Sequence, residues 1–464
     1  MTDSNSLSRS LASYVVSTRY EAIPQHTRDM AKRCLLDGLG VSLAATGLAS
    51  VCRPFVEYAV EQGGHSQSTV FATGVRVPAA MAAFANGALA HALDFEDAHD
   101  KSLLHPNAPT IPAALAVCEA FGPVEGKELI AAVVLGCDIA CRLSLALRVP
   151  LDEYGWYPPP MIAAFGATAA VGRLLKLNEQ QLIDAFSLTL GQATCSAELK
   201  FSPHSDIRAV RDAFPAQIAV TSALLARKGV RGFDRPFEGR AGFFAMYARG
   251  AYAPEVLTQA LGERFEIDEI SFKPYPSCRG THVYIEAAAQ LVRDHRIELS
   301  DIVSVDLVGS RLNLMLAEPV AQKQRPATAI DAKFSLPFTV ATALRRGTVT
   351  LDDFTDRALS DSSVLDLASR VHYTADPARA SSGPDVLRGS VELELRGGPR
   401  VQLEIDVPSG SPGRPACDAA LIDKFRDCCR RARSEPNAST VDRWIERIST
   451  LESIADAGEL SRSL

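Results

Sequence analysis

A chain of 464 residues is too long for one hydrophobic core, so two domains are expected, and 47% hydrophobic with 22% charged residues is a globular composition. A net charge of −7 gives no support to nucleic acid as a partner, and it requires any anion-binding site to concentrate its cations locally. None of the ten cysteines forms a CxxC pair, which leaves neither a zinc ribbon nor an iron–sulfur run.

Along the chain, MTDSNSLSRSLASYVVS lacks the basic start and long apolar run of a secretory leader. No uncharged apolar run reaches the roughly 18 residues of a membrane span. The expectation is a reduced, cytoplasmic protein without membrane contact. Residues 8–260 are almost continuously helix-periodic, as in AMAAFANGALAHALD, ELIAAVVLGCDIACRLSLAL and FPAQIAVTSALLARKG. Their Ala- and Gly-rich faces predict close helix packing. Cys137 and Cys141, four apart on one apolar helix, read as core thiols.

From about residue 265 the period changes to two in DIVSVDLVGSRL and SVELELRGGPRVQLEIDVP, with RGGP as a hairpin turn. SLPFTVATALRRG and SSVLDLASRV interrupt these strands as helices. A Pro/Gly/Ser turn then leads into the helix ALIDKFRDCCRRA, which is expected to pack back on the first domain. The predicted class is mainly α with an α+β second domain. The boundaries are 1–264 plus 409–464 for a discontinuous helical domain and 265–408 for a smaller α/β lid.

Chemistry concentrates in HALDFEDAHDKSLLHPN, residues 91–107. Asp94 is placed near a helix C-terminus, where the macrodipole disfavours an anion and raises the carboxyl towards a general-base value. His105 is placed near the start of the next helix, with Thr110 as N-cap and Pro112 in the first turn, where the imidazole pKa is lowered. An acid pushed up beside an imidazole pushed down is a divided acid/base pair. The bland alternative is that these groups cap helix ends.

KPYPSCRGTH carries Lys273, Arg279 and His282 with no acid among them and leads into a helix, which suits carboxylate or phosphate. No nucleotide-binding glycine motif accompanies it. KFSPHSDIRAVRDAF offers Lys200, Arg208 and Arg211, the two arginines sharing a helix face. Tyr157, before three prolines, is held extended and can offer its hydroxyl to a pocket.

These segments resemble the MmgE/PrpD family over nearly the whole chain. The resemblance rests on LLDGLGVSLAATG, NGALAHALDFEDAHD, HPNAPTIPAALAVCEA, FEGRAGFF, SFKPYPSCRGTH, DAKFSLPFTVATAL and SPGRP before DKFRD. It implies a large helical domain, an α/β lid, a cleft between them, a homodimer, no metal or organic cofactor, and di- or tricarboxylate substrates. Asp94, His105 and Lys273 fall on the family's aspartate, histidine and lysine, with Arg279 and His282 in the same loop as the lysine. Ala98 stands where relatives often have Thr, and Tyr157-Pro158 where many have FHP. Arg208 replaces a lysine, and Cys278 a histidine, of decarboxylase relatives.

The expected activity is therefore a cofactor-independent lyase, a dehydratase or decarboxylase of a citrate-like acid. Asp94 would be base, His105 and Tyr157 acids, Lys273 catalytic, and Arg208, Arg279, His282, Cys278 and Lys200 substrate-binding. The alternative is a non-catalytic or altered-specificity member, such as a polycarboxylate-binding dimer or an epimerase.

Overall fold

The computed structural model describes residues 6–202, 204–379 and 387–464. Helices dominate. Gly126–Leu145 lies against Pro158–Leu174, and Ala79–His91 against both Asn107–Phe121 and Ala213–Arg227. Glycine sets the first of these crossings: a Cβ on Gly166 would stand 2.4 Å from the Gly136 carbonyl oxygen. Alanine and glycine thus buy backbone-to-backbone approach, and the buried faces interlock without large side chains. Cys137 and Cys141 are both fully buried, as expected of core thiols.

The strands form one four-stranded sheet in the order Val371–Ala375, Ile302–Gly309, Gly389–Leu395, Arg400–Ile405. The first pair is parallel and the others antiparallel, with RGGP joining the last two. Helix His282–His295 covers this sheet and packs on Leu336–Arg346. These elements make the fold mainly α with a second α+β region. No single helix among the described residues is long and apolar enough to cross a membrane.

Two links bring the later part of the chain to the acid-rich loop. Arg142 is fully buried, pairs with Asp138 at 2.7 Å and donates to the carbonyls of Val256, Gln259 and Arg264. Asp138 in turn accepts from the Glu266 backbone N–H at 2.8 Å. Ile270–Ser271 then pairs antiparallel with Ala98–His99, and Lys273 follows two residues later. The late helix Asp418–Arg430 packs on Gln25–Leu48, where Phe425 fills the space above Gly40.

Candidate active site

The helix carrying the acid-rich segment ends at His91, and Asp94 follows in a left-handed turn at φ 48°. This backbone, uncommon for a residue with a Cβ, turns the Asp94 carboxylate and carbonyl towards the later chain. Lys273 donates to Asp94 Oδ1 at 2.6 Å and to the Asp94 carbonyl at 2.9 Å. Both side chains are fully buried. Burial pushes the Asp94 carboxyl up, but Lys273, then His91 and His105, outweigh it and hold it below its ordinary value. The expected rise is therefore corrected: a helix terminus acts weakly compared with an ammonium in contact.

His91 and His105 converge on a residue given no role from the sequence. Glu96 Oε1 lies 2.5 Å from His91 Nδ1 and 2.8 Å from His105 Nδ1. Burial raises the Glu96 carboxyl, yet the two imidazoles and Lys273 bring it well below the usual range. The His105 Nδ1 also lies 3.1 Å from the Asp97 carbonyl oxygen. A carbonyl only accepts, so Nδ1 carries the proton and Nε2 keeps the lone pair. Burial lowers the His105 pKa, Glu96 opposes this, and Lys273 adds to it, leaving a net decrease. The direction agrees with the sequence reading, although the main cause is burial. The helix begins at Asn107 behind Pro106, so Thr110 is not its cap. Thr110 bonds the Pro106 carbonyl, and Pro112 lies inside the helix.

Tyr157 reaches this cluster through Arg211. The Arg211 guanidinium donates to the Tyr157 hydroxyl oxygen and, at 3.3 Å, to Asp212, which lies 3.9 Å from His91 Nδ1. Arg208 stacks on the Phe334 ring at 3.4 Å. It is 6% exposed, and its Nε and Nη2 have no hydrogen-bond partner among the described residues. A buried guanidinium with unpartnered donors has the chemistry to hold a carboxylate. Cys278 lies within electrostatic reach of Asp94, Lys273 and Arg208, and burial raises its thiol pKa. Lys333, whose carbonyl accepts from the Cys278 N–H, has its own amine buried over Phe354. Burial lowers that amine to about 7.

Three expected substrate ligands are otherwise engaged. Arg279 bonds Asp100, the Ser409 carbonyl, Ser411 and His282. It is a clamp between chain segments, with no donor left for a carboxylate. His282 is buried, with Nε2 3.1 Å from the Ser277 carbonyl oxygen, so it organises its own loop. Lys200 pairs with Asp152 at 2.9 Å, above the Tyr157 ring.

His91, Asp94, Glu96 and His105 place ligand atoms within 4.8 Å of one another, a donor set that a divalent cation could use. Such an ion would have to displace the Nδ1 protons facing Glu96 and the ammonium on Asp94. A cavity of about 650 Å³ opens behind Lys273, lined by Phe95, Phe272, Lys424 and Leu421. It borders the ion pair and shares no other member of the cluster.

Comparison with known proteins adds an independent line. The MmgE/PrpD N-terminal domain matches residues 9–255, and the MmgE/PrpD C-terminal domain residues 275–447. A cis-aconitate decarboxylase-like protein of Aspergillus oryzae is 27% identical, over 99% of this chain and 97% of its own length. Human cis-aconitate decarboxylase is 24% identical, over 99% and 94% respectively. A 2-methylcitrate dehydratase of Cupriavidus necator is 25% identical, over 88% and 87%. With both domains matched in order across most of its length, this chain belongs to the MmgE/PrpD family.

Proposed function

We propose that this protein is a lyase acting on a citrate-like di- or tricarboxylate, working without a metal or organic cofactor through a carbanion- or enolate-like species. The observation that carries this reading is the convergence of Lys273 on Asp94 beside an imidazole whose Nε2 is free. The relatives' names supply the substrate class.

In this reading the roles differ from those expected from sequence. Asp94, paired with Lys273, stays ionised and is a weak base. His105 is neutral near pH 7, presents a lone pair, and is the cluster member with an exposed edge (15% of its side chain). It therefore takes the α-proton. Asp94 and Glu96 stabilise the imidazolium that forms, and Lys273 and Arg208 hold carboxylates as charge develops on one of them. Tyr157, whose oxygen accepts from Arg211, keeps its own hydrogen to deliver to a leaving hydroxyl. A homodimer accords with this reading, since Tyr58 and Phe214 present an exposed aromatic face beside Phe55 and Phe84.

Dehydration and decarboxylation need opposite forms of His105. Proton abstraction needs neutral imidazole, whereas protonating a carbanion left by CO₂ needs imidazolium. A dehydratase therefore gains kcat/KM as pH rises through the lowered His105 pKa, and a decarboxylase loses it. Both activities fall by about 100-fold or more in His105→Ala. Unchanged turnover in that variant rejects the assignment.

A further inference from the structure

The late helix Asp418–Arg430 lies far from the acid-rich loop in sequence, yet one of its side chains reaches the backbone that carries the ion pair. Lys424 Nζ stands 2.7 Å from the Phe95 carbonyl oxygen, 3.0 Å from the Lys273 carbonyl oxygen and 2.7 Å from Asp37 Oδ1. The ammonium thus donates to two backbone carbonyls and forms an ion pair with the Asp37 carboxylate. The ammonium also lies 3.8 Å from the centroid of the Phe95 ring. Two of these contacts fall on the backbone of Lys273 itself and of the residue after Asp94.

The same tail also holds the residue before Lys273. The Phe272 N–H donates to the Gly410 carbonyl at 3.0 Å. Gly410 has φ +85°, and a Cβ there would sit 1.9 Å from the Phe272 carbonyl oxygen. Only glycine fits this approach. Residues 410 and 424 therefore bracket the Lys273 backbone.

We infer that Lys424 is a positioning residue: the tail supplies one ammonium that fixes the backbones of Phe95 and Lys273, and so sets the separation of Asp94 from Lys273. This rests on the acid/base reading given above. Its logic is geometric, since displacing reacting groups by about 1 Å costs on the order of 100-fold in rate. Lys424 does not touch the reacting atoms in this arrangement. The cavity of about 650 Å³ bordering it leaves room for a neutral replacement without overpacking.

The test compares Lys424→Met, Lys424→Gln and Lys424→Arg with Lys32→Met. The last removes a different tail contact, the Lys32 bonds to Glu452 and the Ser449 carbonyl, and serves as a docking control. Two readouts are taken on the full-length protein: kcat and KM on a citrate-like acid, and the rate at which an acetylating reagent labels Lys273, followed by peptide mass spectrometry. We expect Lys424→Met to lower kcat by about 10-fold or more with little change in KM, Lys424→Arg to restore part of it, and Lys32→Met to stay within about twofold. Lys273 labelling should rise about 10-fold in Lys424→Met and not in Lys32→Met. Should Lys424→Met not fold, Lys424→Gln carries the same comparison. If the native protein turns over no polycarboxylate, the functional reading fails and labelling alone judges the positioning. Lys273 protected in the Lys424 variant as in the native protein, or kcat unchanged, overturns the inference.

Discussion

Lys333 is a buried lysine whose surroundings do little to keep it charged. Its ammonium position offers the Pro276 carbonyl at 2.9 Å and the Phe354 ring at 3.9 Å, with Asp94 and Glu96 acting only from a distance. Burial therefore brings the amine from 10.5 to about 7. Between those values the unfolded chain binds a proton that the native chain does not, so this residue makes native stability rise with pH across that window. The penalty is largest at and below pH 7 and fades towards 10.5. Lys333→Met should accordingly raise the urea midpoint more at roughly pH 7 than at roughly pH 9.5. An equal gain at both would mean the amine keeps its ordinary charge. Lys273 is the contrast: burial opposes its charge too, but contact with Asp94 and proximity to Glu96 raise its pKa.

At the scale of elements, much was legible because periodicity survives burial. The Ala-rich runs became the central helices, the period-two segments became three of the sheet's four strands, and RGGP became the turn between the last two; the edge strand Val371–Ala375, too short to show a period, begins on the last residue of the segment read as helix. The acid-rich loop and KPYPSCRGTH were both recognisable as chemistry, and Lys273 does meet Asp94. Sequence could not say which charges would neutralise one another. Arg279 was read as a carboxylate receptor because its own loop holds no acid, yet Asp100 comes from the other loop through the Ala98–His99 pairing. Glu96 and His91 lay in the flagged segment, and the signal that could have promoted them was His91 at a helix end five residues before an acid. The close crossing of Gly126–Leu145 and Pro158–Leu174 is an element-scale consequence of small residues. Gly166→Ala should cost about 1–3 kcal/mol by overpacking against the Gly136 backbone, measured by urea unfolding. A cost near zero would show that the two helices can separate freely.

For the whole molecule, the site is assembled from three stretches distant in sequence. The helical region brings Asp94, Glu96 and His105, the segment after residue 265 brings Lys273 and Phe334 beneath Arg208, and helix Asp418–Arg430 brings Lys424. The buried members have little exposure, so a polycarboxylate enters only if these parts move relative to one another, as interfaces of this kind commonly do. Under the proposed function, the unpartnered buried donors of Arg208 are where a substrate carboxylate would dock.

The most direct measurement is proton NMR of the purified protein mixed with candidate citrate-like acids in D₂O, for the native chain and for His105→Ala. The account predicts deuterium entering at one carbon α to a carboxylate, or appearing at the carbon that lost CO₂, and disappearance of that signal in the variant while its fold is retained. Equal deuterium incorporation by native and variant protein would contradict it.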